Sequence, residues 1–250
     1  MSPLKAIDPD RPASQKPSSW MGAKPFLTAE WRWLVTLNYE VEAAMLAPYI
    51  PRGLELDTWQ GRTYVSLIGF MFLNTRVRDF RVPFHRNFEE VNLRFYVRHG
   101  DHRGVVFIRE VVPRRTVAWI ANAVYGENYV RLPMRHTIES ARVEYSWRFG
   151  GEWNCITALG LGPRVALAPG SHEEFIAEHY WGYARRSSDA TEEYRVEHPP
   201  WRVQVPAVAR FEGSIAGLYP REFAFVDERP PDTAFVADGS IVAVFRSQRL

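Results

Sequence analysis

Residues 87–112 read NFEEVNLRFYVRHGDHRGVVFIREVV, and this stretch decides the fold. Successive side chains of a strand point to opposite faces. Val91, Leu93, Phe95 and Val97 therefore share one side of the first half, and Glu90, Asn92, Arg94 and Tyr96 share the other. A second apolar run follows the turn at His99 to Gly104, which makes the stretch a β-hairpin. The polar face has two readings. It lines an enclosed interior, where a carboxylate, an amide, a guanidinium and a phenol must pair or meet a polar ligand, or it faces water while the apolar face fills the core.

Working outward, the same pattern recurs. ARVEYSWRF alternates Val143, Tyr145, Trp147 and Phe149 against Arg142, Glu144, Ser146 and Arg148, and it pairs across Gly150 and Gly151 with GEWNCITALGL. EWRWLVTLNYEV predicts a strand with Trp31, Trp33, Val35, Leu37 and Tyr39 on one side. RTYVSLIGFMFLNTRV predicts another, with Gly69 marking a bend or bulge. TVAWIANAVYG reads as a strand or a short helix. Short strands are expected from about Arg202, at Gly213 to Ala216, at Phe223 to Val226 and at Ser240 to Arg246.

Helices are few. VEAAMLAPYI is closed by Pro51 and Gly53. SHEEFIAEHYWGYARR offers Ser171 as an N-cap with Glu174 three residues on, followed by Phe175, Ile176, His179, Tyr180 and Tyr183 at helical spacing. Many short strands with two or three short helices predict a mainly β (α+β) fold, a large antiparallel barrel or sandwich. Residues 1–25, rich in Pro, Ser and Lys, read as a flexible tail, and 26–250 as a single domain.

The 250 residues are 46% hydrophobic and 14% aromatic, enough for a sizeable core. A net charge of +2 with scattered basic residues argues against a nucleic-acid partner. No run reaches the length of a membrane span, and the N-terminus lacks the apolar segment of a signal peptide, so a cytoplasmic location is expected. Cys155 is single and suits a small buried hydrophobe. A homo-oligomer is compatible with this composition. His85, His99, His102 and His136 have no partner at metal-ligand spacing, so neither a metal nor another cofactor is expected. His179, beside Tyr180 and Trp181, and His198, before Pro199, Pro200 and Trp201, are ligand-binding candidates that also suit packed, hydrogen-bonded aromatics. No nucleophile elbow, P-loop or dinucleotide fingerprint occurs.

Several segments in order, LDTWQGRTYVSLIGFMF, NFEEVNLRFYVR, EEFIAEHYWGYARR and EHPPWRV, resemble the YqjF-like family of uncharacterised bacterial proteins. That family resembles the acetoacetate decarboxylase-like superfamily, and LNYEVEAAMLAPYIPRGLELD is similar to the opening of those decarboxylases. The resemblance implies a cone-like antiparallel β-barrel enclosing a small-molecule cavity. It also implies a Schiff-base lysine after a glycine-containing turn, which would fall in GENYVRLPM, residues 126–134. No lysine is there. Lys5, Lys16 and Lys24 are the only lysines of the chain, and Arg131 stays protonated and is a poor nucleophile. Glu40 stands where the decarboxylase pattern has an arginine. Imine chemistry is therefore not expected.

The remaining expectation is a barrel binding a small anionic or carbonyl-bearing metabolite. Glu90, Asn92, Arg94 and Tyr96 form its polar wall, and Glu127, Asn128, Tyr129 and Arg131 are a second ligand-binding set at the position of the decarboxylase lysine. Two alternatives stay open: an enzyme with Glu90 as general acid or base, of lyase or hydratase type, and a non-catalytic structural or oligomeric scaffold with a solid interior.

Overall fold

The structure is a computed structural model that describes residues 24–78, 80–81, 86–113, 128–187 and 190–250. Glu127, the stretch 116–126 and nearly all of the expected tail lie outside the described residues. The strands in chain order are β1 (Leu27–Val41), β2 (Glu55–Leu56), β3 (Thr63–Val77), β4 (Phe80–Arg81), β5 (Phe88–His99), β6 (His102–Val112), β7 (Tyr129–Arg131), β8 (Met134–Glu139), β9 (Arg142–Phe149) and β10 (Glu152–Leu161). They continue with β11 (Val165–Ala166), β12 (Trp181–Ser187), β13 (Ala190–Glu197), β14 (Arg202–Gln204), β15 (Pro206–Glu212), β16 (Thr233–Val244) and β17 (Gln248–Arg249).

The large sheet runs β16-β1-β3-β5-β6-β12-β13, and β13 pairs back onto β16 through Val196 opposite Val244, so these strands close into a ring. Every link is antiparallel except β6 to β12, where Gly104 lies opposite Trp181 in parallel. A parallel neighbour needs a long crossover, and the chain between them includes β8, β9 and β10, which β15 later joins to complete a second sheet ordered β15-β10-β9-β8.

Both faces of β5 are buried. Val91, Leu93, Phe95 and Val97 pack with Tyr145, Trp147 and Ile156 of the second sheet. On the opposite face, Trp31 of β1, Phe107 of β6 and Tyr194 of β13 meet in one cluster with Phe26, Val196 and Val244. β1 and β6 are separated by two strands one way round the ring and by three the other, so Trp31 and Phe107 share a cluster across its inside. Glu90, Asn92 and Tyr96 lie on that inner face and are 2%, 2% and 1% exposed, so the solvated reading of the polar face is excluded.

Gly69 turns out to serve close approach. An added Cβ would lie 2.5 Å from Ile156 and 2.7 Å from Tyr145, where the second sheet packs on β3. The bulge sits on the neighbouring strand, between Arg32 and Val35 of β1, with Trp33 at φ 53°. It corrects the single-face reading of β1: Trp31 and Leu34 pack with the inner cluster, while Val35, Leu37 and Tyr39 pack outside.

Two helical expectations also change. The Ser171 hydroxyl accepts the Glu174 amide at 3.1 Å, as a cap should, yet the helix covers only His172–Ala177. Trp181–Ser187 instead pairs with Ala190–Glu197, because these residues supply the strand that joins β6 to β13 in the ring. Phe223–Val226, expected as a strand, is helical, with Arg221–Phe223 as a 3₁₀ turn and Phe225–Glu228 as a short helix. Gly213–Ala216 forms no strand: Gly213 is a bend and Ala216 makes an isolated bridge with Tyr219. Its turn is held by Asp227, whose carboxylate accepts from the Ser214 hydroxyl at 2.7 Å and the Ile215 amide at 2.9 Å. The short helix Ala43–Leu46 and the β9–β10 hairpin form as expected.

Candidate functional site

The inner face of β5 carries the site. Glu90 accepts hydrogen bonds from Asn92 Nδ2 at 3.0 Å and from the Tyr129 hydroxyl at 3.3 Å. Burial opposes ionisation more than these donors and Arg94 favour it, so the Glu90 carboxyl is pushed up to about 7. Asn92 Oδ1 and the indole Nε1 of Trp31 are buried without a hydrogen-bond partner among the described residues. Orphaned buried polar atoms are uncommon in folded proteins and call for an explanation.

Glu110 completes the cluster and was not visible in the sequence. A straight hairpin running back from the His99–His102 pair would set Arg109 opposite Asn92. A bulge between Leu93 and Arg94 instead pairs Leu93 with Arg109 and Asn92 with Glu110. The extra residue, Ile108, turns outward, Arg109 bonds the Leu218 carbonyl, and Glu110 arrives on the inner face, 1% exposed. β7 lies parallel to the end of β6 with Tyr129 opposite Glu110. Burial, and then the charges of Glu110 and Glu90, push the Tyr129 phenol well above its usual range.

The other expected residues fall into three groups. Arg94 lies on the inner face, donates to the Ile176 carbonyl at 3.3 Å and stands 5.7 Å over the Tyr96 ring. Tyr96 is drawn into a polar chain: the Ser66 hydroxyl donates to Asn38 Oδ1 at 2.6 Å, so the Tyr96 hydroxyl, 2.6 Å from it, is the donor to Ser66. His179 is buried behind Tyr96 and bonds Asp57 at 3.0 Å, with Arg103 on the same carboxylate oxygen at 2.7 Å. Burial pulls His179 down to about 4. His198 stacks 4.1 Å from the Trp201 ring and 4.8 Å from Tyr180, and burial lowers it to about 4 as well. Both are neutral at physiological pH.

Of the second set, Glu127 lies outside the described residues, and of the other three only Tyr129 reaches the cluster. Asn128 is exposed and bonds the Ile108 carbonyl at 3.4 Å, and Arg131 is exposed and bonds the Pro113 carbonyl at 3.4 Å. Lys24 is exposed at the edge of β1. Cys155 is half-buried beside Thr157 at 3.2 Å, and its thiol is raised mainly by burial, which makes it a poor nucleophile. No helix among the described residues is long and apolar enough to cross a membrane.

In fold the chain is similar to structures of acetoacetate decarboxylase-like proteins. The chain overlays acetoacetate decarboxylase from Legionella pneumophila with a TM-score of 0.71 at 10% identity, covering 100% of this chain and 98% of that one. An acetoacetate decarboxylase-like enzyme from Sphingomonas wittichii RW1 gives 0.63 at 16% identity, covering 91% and 94%. The enduracididine biosynthesis enzyme MppR, complexed with pyruvate, gives 0.61 at 12% identity, covering 93% of each chain. At these identities the likeness is one of fold.

The chain belongs to the DUF2071 family of uncharacterised conserved proteins, whose model matches residues 28–240. It is 26% identical to the uncharacterised protein YqjF of Bacillus subtilis over 182 residues, 70% of this chain and 73% of that one.

Proposed function

We propose that the protein binds a small anionic, carbonyl-bearing metabolite on the inner face of the ring, without forming a Schiff base. The observation that carries this reading is Glu90, a buried carboxyl pushed up to about 7 and set beside an Asn92 oxygen with no partner among the described residues. A solid scaffold has no use for two buried carboxylates and an orphaned amide oxygen, each of which costs stability. A ligand oxygen that accepts from Trp31 Nε1 would satisfy one orphan, and an oxo acid that also carries a hydroxyl could donate to Asn92 Oδ1.

Arg94 supplies the fixed cation for a carboxylate. The fold neighbours support the ligand class, since one is described with pyruvate and others are named for acetoacetate. The absence of any lysine beyond Lys24 separates this chain from the imine route. A thermal-shift screen of short oxo acids against the full chain is expected to find stabilising ligands. Arg94→Ala should weaken the best of them by about 2 kcal/mol or more, the usual scale for truncating one partner of a buried charge pair. An unchanged shift in that variant would remove Arg94 from the site.

One observation favours a second reading, in which the ligand is turned over. A carboxyl near 7 is matched to proton transfer at neutral pH, and Glu90 is the inner-face group so placed. Bound ligand should then exchange its α-hydrogen with solvent deuterium, and Glu90→Gln should abolish the exchange while leaving binding intact. Exchange surviving in Glu90→Gln would exclude Glu90 as the base.

A further inference from the structure

We propose that His99, His102 and Glu193 form a divalent-cation site of the two-histidine, one-carboxylate type, with zinc the ion its donors fit best. The three offer ligand atoms that all lie within 4.8 Å of one another. His102 Nδ1 is 3.5 Å and His99 Nδ1 3.9 Å from the same oxygen, Glu193 Oε2. Two ligands about 2.0–2.1 Å from a tetrahedral zinc stand roughly 3.3 Å apart. The His102–Glu193 separation is already close to that spacing, and the exposed His99 ring must swing inward by about an ångström to complete it.

The site is built, not incidental. The Glu193 side chain is 3% exposed, and its Oε2 is buried with no hydrogen-bond partner among the described residues. His102 Nδ1, which faces it, is equally buried and equally without a hydrogen bond. A buried carboxylate oxygen and a buried imidazole nitrogen left facing each other beyond hydrogen-bond reach are what a shared cation would bridge.

The surroundings hold these donors in place. His99 and His102 are directly opposed across a two-residue turn that Gly100 opens at φ 57°, so both rings leave the hairpin on one face. The His102 ring stacks on Trp181 at 4.1 Å and 13°, which fixes its plane. Gln248 Nε2 donates to Glu193 Oε1 at 3.3 Å and leaves Oε2 for the ion, the kind of outer support that metal ligands use. With three protein ligands and one exposed side, where His99 lies, a water or a small anion could take the fourth position. The site is independent of the ligand-binding reading, because Glu193 and the inward-facing Tyr194 are consecutive on β13 and point to opposite faces. The spacing of His99 and His102 in the chain could not reveal it, since the carboxylate arrives from a strand about ninety residues later.

The test is calorimetric titration of Zn²⁺ into the full chain, freed of any affinity tag and treated with a chelator. One ion per chain is expected, with a rise in melting temperature. His99→Ala, which removes an exposed ligand and leaves the core untouched, and Glu193→Gln should each weaken binding about tenfold or more. His136→Ala, which breaks the separate surface pair with Glu89, should change nothing. Absence of stoichiometric binding to the parent chain, or binding unaltered in both His99→Ala and Glu193→Gln, would overturn the proposal.

Discussion

Glu90→Gln is expected to stabilise the protein at pH 8 by up to about 3 kcal/mol and to flatten its stability profile between about pH 4.5 and 7. The folded chain holds the Glu90 proton up to about 7, whereas the unfolded chain releases it near 4.5. Between these values the folded state binds more protons than the unfolded one, so stability must fall as pH rises. The contribution is complete below the unfolded value and gone above the folded one.

Glutamine keeps the shape of the side chain and has nothing to ionise. His179 and His198 act in the opposite sense, since their lowered values cost stability as pH falls below about 6.5. The two effects partly cancel in the parent protein, and the difference between parent and variant isolates Glu90. Urea unfolding at several pH values checks it. Parallel profiles would mean that Glu90 ionises normally and that the inner face is wetter than its burial implies.

Gly239→Ala is expected to destabilise the fold by about 3 kcal/mol or more, and it should abolish any ligand binding on the inner face. Gly239 holds φ 74° opposite Arg32, and a Cβ there would sit 1.9 Å from the Trp31 carbonyl oxygen and 2.9 Å from Leu34. The obstacle is backbone, which cannot rotate away. The bulge at Trp33 pushes the β1 chain against β16 at this point and turns Trp31 inward. Relieving the clash would therefore separate the two strands or undo the bulge, and either would move the Trp31 indole. Gly151→Ala provides the contrast. Its φ of 93° makes alanine strained, yet nothing lies within 4 Å, so the cost should stay near the backbone penalty of about 1 kcal/mol. Denaturant titrations of the two variants side by side test the argument, and equal losses would contradict it.

These two positions also show what the sequence made legible. Alternation grouped Glu90, Asn92, Arg94 and Tyr96 correctly on one face, because β5 is regular along that length. It failed where a strand gains a residue. At Trp33 the bulge moved Trp31 to the opposite face from Val35, and at Ile108 it exchanged Arg109 for Glu110 at the centre of the site. Neither bulge carries a glycine or proline that would announce it, so the sequence shows no break in its alternation at either.

The helix at His172 was seen at its start, where Ser171 and Glu174 are local signals, and not at its end. The fate of Trp181–Ser187 is set by pairing with β6 and β13, which lie far away in the chain. Tyr129 stands out in the sequence only through its place in a family resemblance. Its contact with Glu90 depends on a short parallel pairing that no local pattern encodes.

Non-covalent binding on the inner face of the ring is tested most directly by a crystal structure of the full chain soaked with the most stabilising oxo acid. A ligand is expected between Arg94 and the Glu90–Asn92 pair, with its carboxylate on the guanidinium and no covalent bond to any side chain. A ligand covalently attached at Lys24, or bound only on the outer surface with the Arg94 and Asn92 groups undisturbed, would contradict it.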